Sequence, residues 1–414
     1  VLKHKNAFIK INKFEECETV VRFKKFSIIL VIALIMGLLL AGCGGTKKED
    51  DKQTGAETKE PYKIGAVFDI SGPGSSLGIP ERDTAQMIID KVNAEGGIDG
   101  HLIELVMLDN KSNETESALA VKNLIQQDVL AIVGASTSGS TLAMVDAVQQ
   151  AQVPLVSAAA SIRIVEPVNE RQWVFKTAQS DSLVAQKIVT YLKSKGLTKI
   201  AFASMNNAFG DSGRAEFEKA AAAEGIEVLA WEKFEANDTI MTSQLTSIKK
   251  LEPQAVIAWA IPPSASSFTA NYRQLGLTMP LIHSHGIGNQ KFIELAGDAA
   301  NDVVFPVGKL LVAEGLPDSD PQKAVLMDYA TEFESKFGPR NTFGGHAWDA
   351  VNIVLEALKT AGPDKAKIRD AIENTQNFNG ISGVFNMSPE DHNGLGLDSM
   401  VMVKIQDGKW VLAD

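Results

Sequence analysis

The stretch YKIGAVFDISGPGSSLGIPERDTAQMIIDKVNAEGGIDGHLIELVMLD, Tyr62–Asp109, decides the fold class. An apolar run, YKIGAVFD, is followed by helical spacing over Glu81–Gly97 and then by a second apolar run, Leu102–Asp109. The Gly96-Gly97 pair stops the helix. The alternation continues: helix over Glu114–Asp128, strand Leu130–Gly134, helix Ser140–Gln152, strand Pro154–Ala159. Short apolar strands alternating with amphipathic helices predict βα units and a parallel sheet buried on both faces.

A second series follows. A helix over Ser180–Gly196 carries Leu183, Val184, Ile188, Val189 and Leu192 on one side. Strands are expected at Lys199–Ser204, Ile226–Phe234, Ala255–Ala260 and Pro280–Ser284, with helices between them. The chain is therefore α/β with two domains, the first giving way to the second near Lys176–Asp181. Longer helices are expected over Gln322–Phe337 and His346–Thr360, and two β runs flank the Asp407–Gly408 turn.

Before the first strand the chain has another character. Arg22, Lys24 and Lys25 precede FSIILVIALIMGLLLA, Phe26–Ala41, sixteen residues without a charge. That is short for a membrane span and fits the apolar core of a signal peptide. LAGC, Leu40–Cys43, resembles the bacterial lipobox, which implies cleavage before Cys43 and lipidation of its thiol. Residues 1–42 are thus expected to be a signal peptide and 43–61, polar and glycine-rich, a flexible tether. Two acyl chains on Cys43 would hold the protein stably on the outer face of the bacterial cell membrane.

The only other cysteine, Cys17, falls in the segment to be removed, so a large core must stabilise the fold without disulfides. The chain beyond residue 42 carries 33 Lys/Arg and 48 Asp/Glu, a net charge of −15. That balance argues against nucleic acid or an anionic surface as partner.

Two segments carry candidate chemistry. In GASTSGSTLAM, Gly134–Met144, a strand ends and a helix begins. Thr137, Ser138 and Ser140 bring hydroxyls and backbone N–H groups there, either as an anion site or as ordinary helix caps. In LIHSHGIGN, Leu281–Asn289, two of the six histidines stand two residues apart. His-x-His on a strand can offer a metal two imidazoles. No carboxylate or cysteine spacing completes such a site, although His346 or Asp349 would be the nearest to consider. Walker A and strand-linked Gly-x-Gly-x-x-Gly motifs are absent, and the GASTSGS loop, which superficially resembles a nucleophile loop, has no base at an identifiable position, so neither an enzyme nor a cofactor is expected.

Residues 64–125, with AIVGASTSGST, VPLVSAAAS, FGDSGR and YRQLGL, resemble the leucine/isoleucine/valine-binding proteins, the type I solute-binding proteins of ABC importers. The resemblance implies two Rossmann-like lobes with parallel sheets, joined by three hinge crossings near Thr177, Val307 and Gly383. Lobe one would be 62–177 plus 308–383, and lobe two 178–307 plus 384–414. It also implies a monomer that closes over a small carboxylate ligand and docks on an importer permease.

By the same resemblance Ser138, the backbone of Ala159 and Ser161 would hold the ligand carboxylate, with Thr137 beside them at the helix start as a further ligand-binding candidate. Phe209 would lie over the ligand, Phe343 would wall it from lobe one, and Pro262 would shape a rigid edge. Two positions depart from the family. His285 stands where amino-acid binders carry an acid for the ligand ammonium, and Leu77 replaces an aromatic. Removing the acid removes the charge that balances a buried ammonium. A carboxylate without an ammonium is therefore expected: an aromatic acid, a 2-oxo acid or a short fatty acid. The SHG motif also looks like family members associated with aromatic acids. Amino-acid transport and a sensor for a membrane receptor remain as alternatives, because fold does not fix function.

Overall fold

A computed structural model describes residues 59–413. The expected signal peptide, Cys43 and most of the expected tether lie outside the described residues. Among the described residues, no helix is long and apolar enough to cross a membrane.

The first half runs β1 (Tyr62–Phe68), α1 (Ser75–Ala94), β2 (Ile103–Asp109), α2 (Glu114–Gln126), β3 (Ala131–Gly134), α3 (Ser138–Ala151), β4 (Leu155–Ser157) and β5 (Val174–Lys176). Its five strands pair in parallel in the order β2-β1-β3-β4-β5. Val67, Phe68, Ile132, Val133 and Val156 are completely buried. A sheet covered by helices on both faces has that composition. Helix α1 begins six residues before the expected Glu81, with Pro80 inside it. The consequence is that Leu77 sits on its first turn.

The second sheet follows. It is built from α4 (Asp181–Ser194), β6 (Lys199–Met205), α5 (Ala208–Ala223), β7 (Glu227–Phe234), α6 (Thr242–Lys250), β8 (Ala255–Trp259), α7 (Ser264–Gln274), β9 (Leu281–His283), α8 (Gln290–Ala296) and β10 (Val304–Gly308). The chain then returns to the first lobe with α9 (Lys323–Phe337), α10 (Thr342–Ala361), α11 (Lys365–Glu373) and the hairpin β11 (Phe378–Asn379) and β12 (Val384–Phe385). Finally β13 (Met400–Gln406) and β14 (Lys409–Leu412) add to the second sheet, giving the order β14-β13-β10-β9-β8-β6-β7. β13 pairs antiparallel to β10 and to β14, as the Asp407–Gly408 turn requires.

The third passage between the sheets differs from the expected Gly383. Phe385, Met387 and Leu395 pack into the first lobe's core with Phe68, Phe175 and Val351. The chain joins the second sheet only at Met400, opposite Gly308. Residues 384–395 therefore belong with the first lobe, because burying those three apolar side chains favours it. The expected boundary came from the family resemblance.

Both sheets reverse their strand order once, β1 lying between β2 and β3 and β6 between β7 and β8. In such sheets the loops after the strands on either side of the reversal splay apart and leave a crevice. The loops after β1 and β3 in one lobe, and after β6 and β8 in the other, form the site described next.

Close packing in the second lobe fixes the helix that carries Phe209. A Cβ placed on Gly213 in α5 would lie 2.1 Å from the ring of Trp259, itself fully buried in β8. Gly213→Ala is expected to destabilise the fold by about 1–3 kcal/mol through overpacking, measured by urea denaturation. A midpoint equal to wild type would refute this tight contact.

Candidate functional site

A cavity of ≈ 230 Å³ lies between the lobes. Its wall combines the β1–α1 loop, the start of α3, the loop after β4, the start of α5, the loops after β8 and β9, and the first turn of α10.

The start of α3 faces the cavity with Thr137, Ser138, Gly139 and Ser140. Thr137 occupies the cap position, yet no side chain caps the helix. Its first-turn N–H groups, with the positive end of the helix dipole, thus open toward the cavity. The Ser138 hydroxyl accepts from the Ser161 N–H at 3.3 Å, which leaves its own proton free to donate. Thr137 works differently. Its hydroxyl donates to Ser140 Oγ at 2.9 Å and approaches Asp69 Oδ2 at 3.2 Å, so it offers the cavity lone pairs.

Three expected contacts require correction. Ala159 lines the wall, but its N–H donates to Ser157 Oγ at 3.0 Å, so the expected backbone donor is already engaged. Ser161 is completely buried behind the wall, where its hydroxyl donates to Ser212 Oγ at 2.7 Å and accepts from the Arg163 N–H at 3.2 Å. Pro262 is buried off the wall, and its neighbour Ile261 takes the place expected of it. Leu77, Thr137, Ser138, Phe209, His285 and Phe343 do converge on the cavity.

Among the wall residues that escaped the sequence reading as ligand contacts are Asp69, Glu114, Met205 and His346. Asp69 follows β1 directly. Its carboxylate accepts from Asn110 Nδ2 at 2.8 Å, and its N–H donates to Ser136 Oγ at 2.9 Å. Burial pushes its pKa up to about 6 against the hydrogen bonds from Asn110, Thr137 and Ser112. Behind it Glu81 is fully buried, and burial drives its carboxyl well above the usual range. His346 reaches the wall because α10 starts at Thr342, four residues before the expected start. Asn341 caps that helix by accepting from the Gly344 N–H at 2.9 Å. An Asn-x-x-Gly reading of the cap was the available signal.

The two histidines of the His283-Ser284-His285 segment part company. His283 ends β9, bonds Thr269 Oγ1 through Nε2 at 2.9 Å, and packs edge-on against Phe268 and Phe292 in the second lobe's core. His285 starts the next turn and faces the cavity, edge-on to Phe209 at 5.9 Å between centroids. Burial lowers the pKa of His283, His285 and His346 to about 3 in each case, so all three are neutral near pH 7. No group of three or more His, Cys, Asp or Glu side chains able to hold a metal occurs among the described residues.

The sequence model for periplasmic binding proteins matches residues 61–409. The chain belongs to that family. This periplasmic binding protein is a solute-binding protein and not an enzyme. It is 24% identical to the leucine-, isoleucine-, valine-, threonine-, and alanine-binding protein of Pseudomonas aeruginosa, over 76% of this chain and 82% of that one. An extracellular ligand-binding receptor from Rhodopseudomonas palustris HaA2 has the same fold, with a TM-score of 0.80, 25% identity and coverage of 86% of this chain and 100% of that one. The branched-chain amino acid transporter substrate binding protein from Streptococcus pneumoniae, solved with isoleucine, gives a TM-score of 0.76 at 28% identity, covering 86% and 99% of the two chains.

The wall geometry of this binding protein separates the two serines. Ser138→Ala is expected to weaken solute binding by about 1–3 kcal/mol, because a desolvated ligand oxygen would lose its donor. Ser161→Ala is expected to cost less, since its hydroxyl faces Ser212. Calorimetric titration of both variants decides it, and equal losses would mean that Ser138 is not a direct contact.

Proposed function

We propose that this protein is the lipid-anchored, extracytoplasmic solute-binding component of an ABC importer of the branched-chain amino acid type, and that its solute is a small organic acid without an ammonium group. The lipobox at Leu40–Cys43 and the charged flank before it support the anchor. The observation that carries the solute class is the donor set. The uncapped start of α3 and the Ser138 hydroxyl supply hydrogen bonds for a carboxylate, with no cationic side chain on the wall. Leu77, Met205, Phe209, Ile261 and Phe343 supply apolar surface for its body. His285, held neutral by burial, gives an ammonium no counter-charge. An aromatic or oxo acid fits this wall.

An amino acid is the second reading. Asp69 and Glu114 place two carboxyls on the first lobe's side of the cavity, and the Thr137 lone pairs lie beside Asp69. The Pseudomonas and Streptococcus relatives bind or carry branched-chain amino acids by name.

The two readings predict opposite pH dependences. Asp69, with its pKa near 6, faces Asn110, Thr137 and Ser112 and feels Asp109; Glu81 behind it feels Asp69 in turn. As pH rises from 5 to 7 it ionises. Affinity for a purely anionic solute then falls, by up to about tenfold, whereas affinity for an ammonium-bearing solute rises. Lys176 in the hinge, lowered by burial to about 7, titrates in the same window, so Asp69→Asn is needed to isolate the Asp69 share. The experiment is a thermal-shift and calorimetric screen of benzoates, phenylpropanoates, 2-oxo acids and their amino-acid counterparts at pH 5 and 7. Stabilisation by the amino acids alone would overturn the first reading.

A further inference from the structure

Two hydrogen-bonded contacts cross from lobe to lobe beside the cavity, on residues that its wall does not include. In the first, the Ser161 hydroxyl, in the loop after β4, donates to Ser212 Oγ in α5 at 2.7 Å. Both side chains are buried. The Ser161 N–H donates to Ser138 Oγ at 3.3 Å, which ties this contact to a residue on the wall. In the second, the N–H and the hydroxyl of Thr342, the first residue of α10, both donate to the Gly288 carbonyl just after β9, at 3.1 and 3.2 Å. A helix start of lobe one is thus satisfied by a carbonyl of lobe two. The approach there is close. A Cβ placed on Gly288 would lie 2.6 Å from Thr342 Oγ1 and 3.2 Å from Thr342 Cγ2, with Val307 Cγ2 of its own lobe at 3.1 Å. The Gly288 φ of −70° is one that alanine adopts, so neighbouring atoms are what exclude a side chain.

Both contacts border the surfaces that must separate for a solute to enter. Ser161 directly follows the wall residue Ala160, and Ser212 stands three residues after Phe209 on the same helix. Gly288 stands two residues after Gly286, and Thr342 directly precedes Phe343. Residues so near the parting surfaces part with them. The same loop is also held by Asp181, which accepts from the Ile162 N–H at 3.0 Å, but Asp181 directly follows the first passage between the lobes and belongs to the hinge. Ser212 lies beyond it, in a helix that moves with lobe two.

We propose that Ser161–Ser212 and Thr342–Gly288 are two clasps made on closure, and that Ser212 and Thr342 are positioning residues for solute binding. On opening, each buried polar group exchanges its protein partner for water. A clasp of this kind favours the closed form by about two- to tenfold. Because neither clasp includes a wall residue, both raise the affinity for every accepted solute alike, while the choice among solutes stays with the wall. The inference does not depend on which solute is bound.

The test needs no solute. Ser161→Cys and Ser212→Cys place two thiols where the hydroxyl oxygens lie 2.7 Å apart. The full chain carries them together with Cys17→Ser and Cys43→Ser, since the sequence holds no other cysteine. Oxidation with diamide then crosslinks the lobes when they close, which a non-reducing gel follows in time. Amide exchange read by mass spectrometry follows the wall segments 74–77 and 205–209. The oxidised form is expected to exchange several-fold more slowly there than the reduced form. Gly288→Ala, added to the thiol pair, is expected to slow crosslinking by about tenfold, because its new Cβ wedges the second clasp apart. Adding Thr342→Ala restores much of the rate, since it removes the atoms that the Cβ meets across the lobes. Equal exchange in the oxidised and reduced forms means that Ser161 and Ser212 stay together when the lobes part, and overturns the first clasp, as does the absence of a crosslink. A crosslinking rate indifferent to Gly288→Ala overturns the second. Melting temperatures show that the reduced variants are folded. If the thiol pair is not, Gly288→Ala alone decides: faster exchange than wild type at the same segments supports the clasp, and equal exchange overturns it.

Discussion

Buried hydrogen bonds at the hinge hold the two lobes in register, and the cavity exists only because of them. Thr177 Oγ1 donates to the His346 carbonyl at 2.8 Å, and Gln179 Nε2 donates to the Ser382 carbonyl at 2.6 Å. Asn393 donates to the carbonyls of Lys176 and Ala178, both at 3.1 Å, and accepts from Ser180 Oγ at 2.9 Å. The first and third passages of the chain are thereby stitched together. Lys176 lies within this stitching, completely buried, with Nζ donating to the Ala178 carbonyl at 2.6 Å and to Ser180 Oγ at 3.0 Å. Neutral partners alone do not balance an ammonium, so burial pulls its pKa down to about 7. The same links reach the site: Ala178 lines the cavity, and the backbone of His346 and Ser382 receives two of the bonds.

The fold was legible in the sequence because its signals are local and repeated. Nearly every strand of both sheets is a short apolar run between helical stretches, and burial on both faces enforces that pattern. What was not legible required knowing where the chain goes after it leaves a strand. The third passage was misplaced because residues 384–395 have too little periodicity to show which core receives Phe385 and Met387. Helix starts at Ser75 and Thr342 were placed too late because glycine and proline near a start look like breakers when the cap is not recognised.

The site was legible by position and less so by chemistry. Leu77, Ser138, Phe209, His285 and Phe343 converge on the cavity since each lies just past a strand or at a helix start, where the strand-order reversal opens the sheet. The hydrogen-bonding state of those residues depends on partners distant in sequence. Ser161 is turned away by Ser212, fifty-one residues on, and Ala159 is engaged by Ser157. Asp69 matters because Thr137 and Asn110 draw its carboxylate to the wall. None of these pairings has a spacing that a sequence pattern records.

The division of the wall between the lobes gives the hinge its purpose. Lobe one alone carries the helix start, Ser138, Asp69, Phe343 and His346; lobe two carries Phe209, Ile261 and His285. A solute held by lobe one in an open form keeps much of its apolar surface in water. Closure removes that surface from water and brings His285 to it. A solute shifts the open–closed balance only by the contacts it gains on closing. On the proposed reading, the lobe-one donors would set whether a carboxylate is retained, and the lobe-two groups whether retention becomes closure. An uncharged second-lobe wall suits that role. It contributes shape and neutral hydrogen bonds, whose strength depends on fit, where a buried charge would favour any counter-ion that entered the cleft.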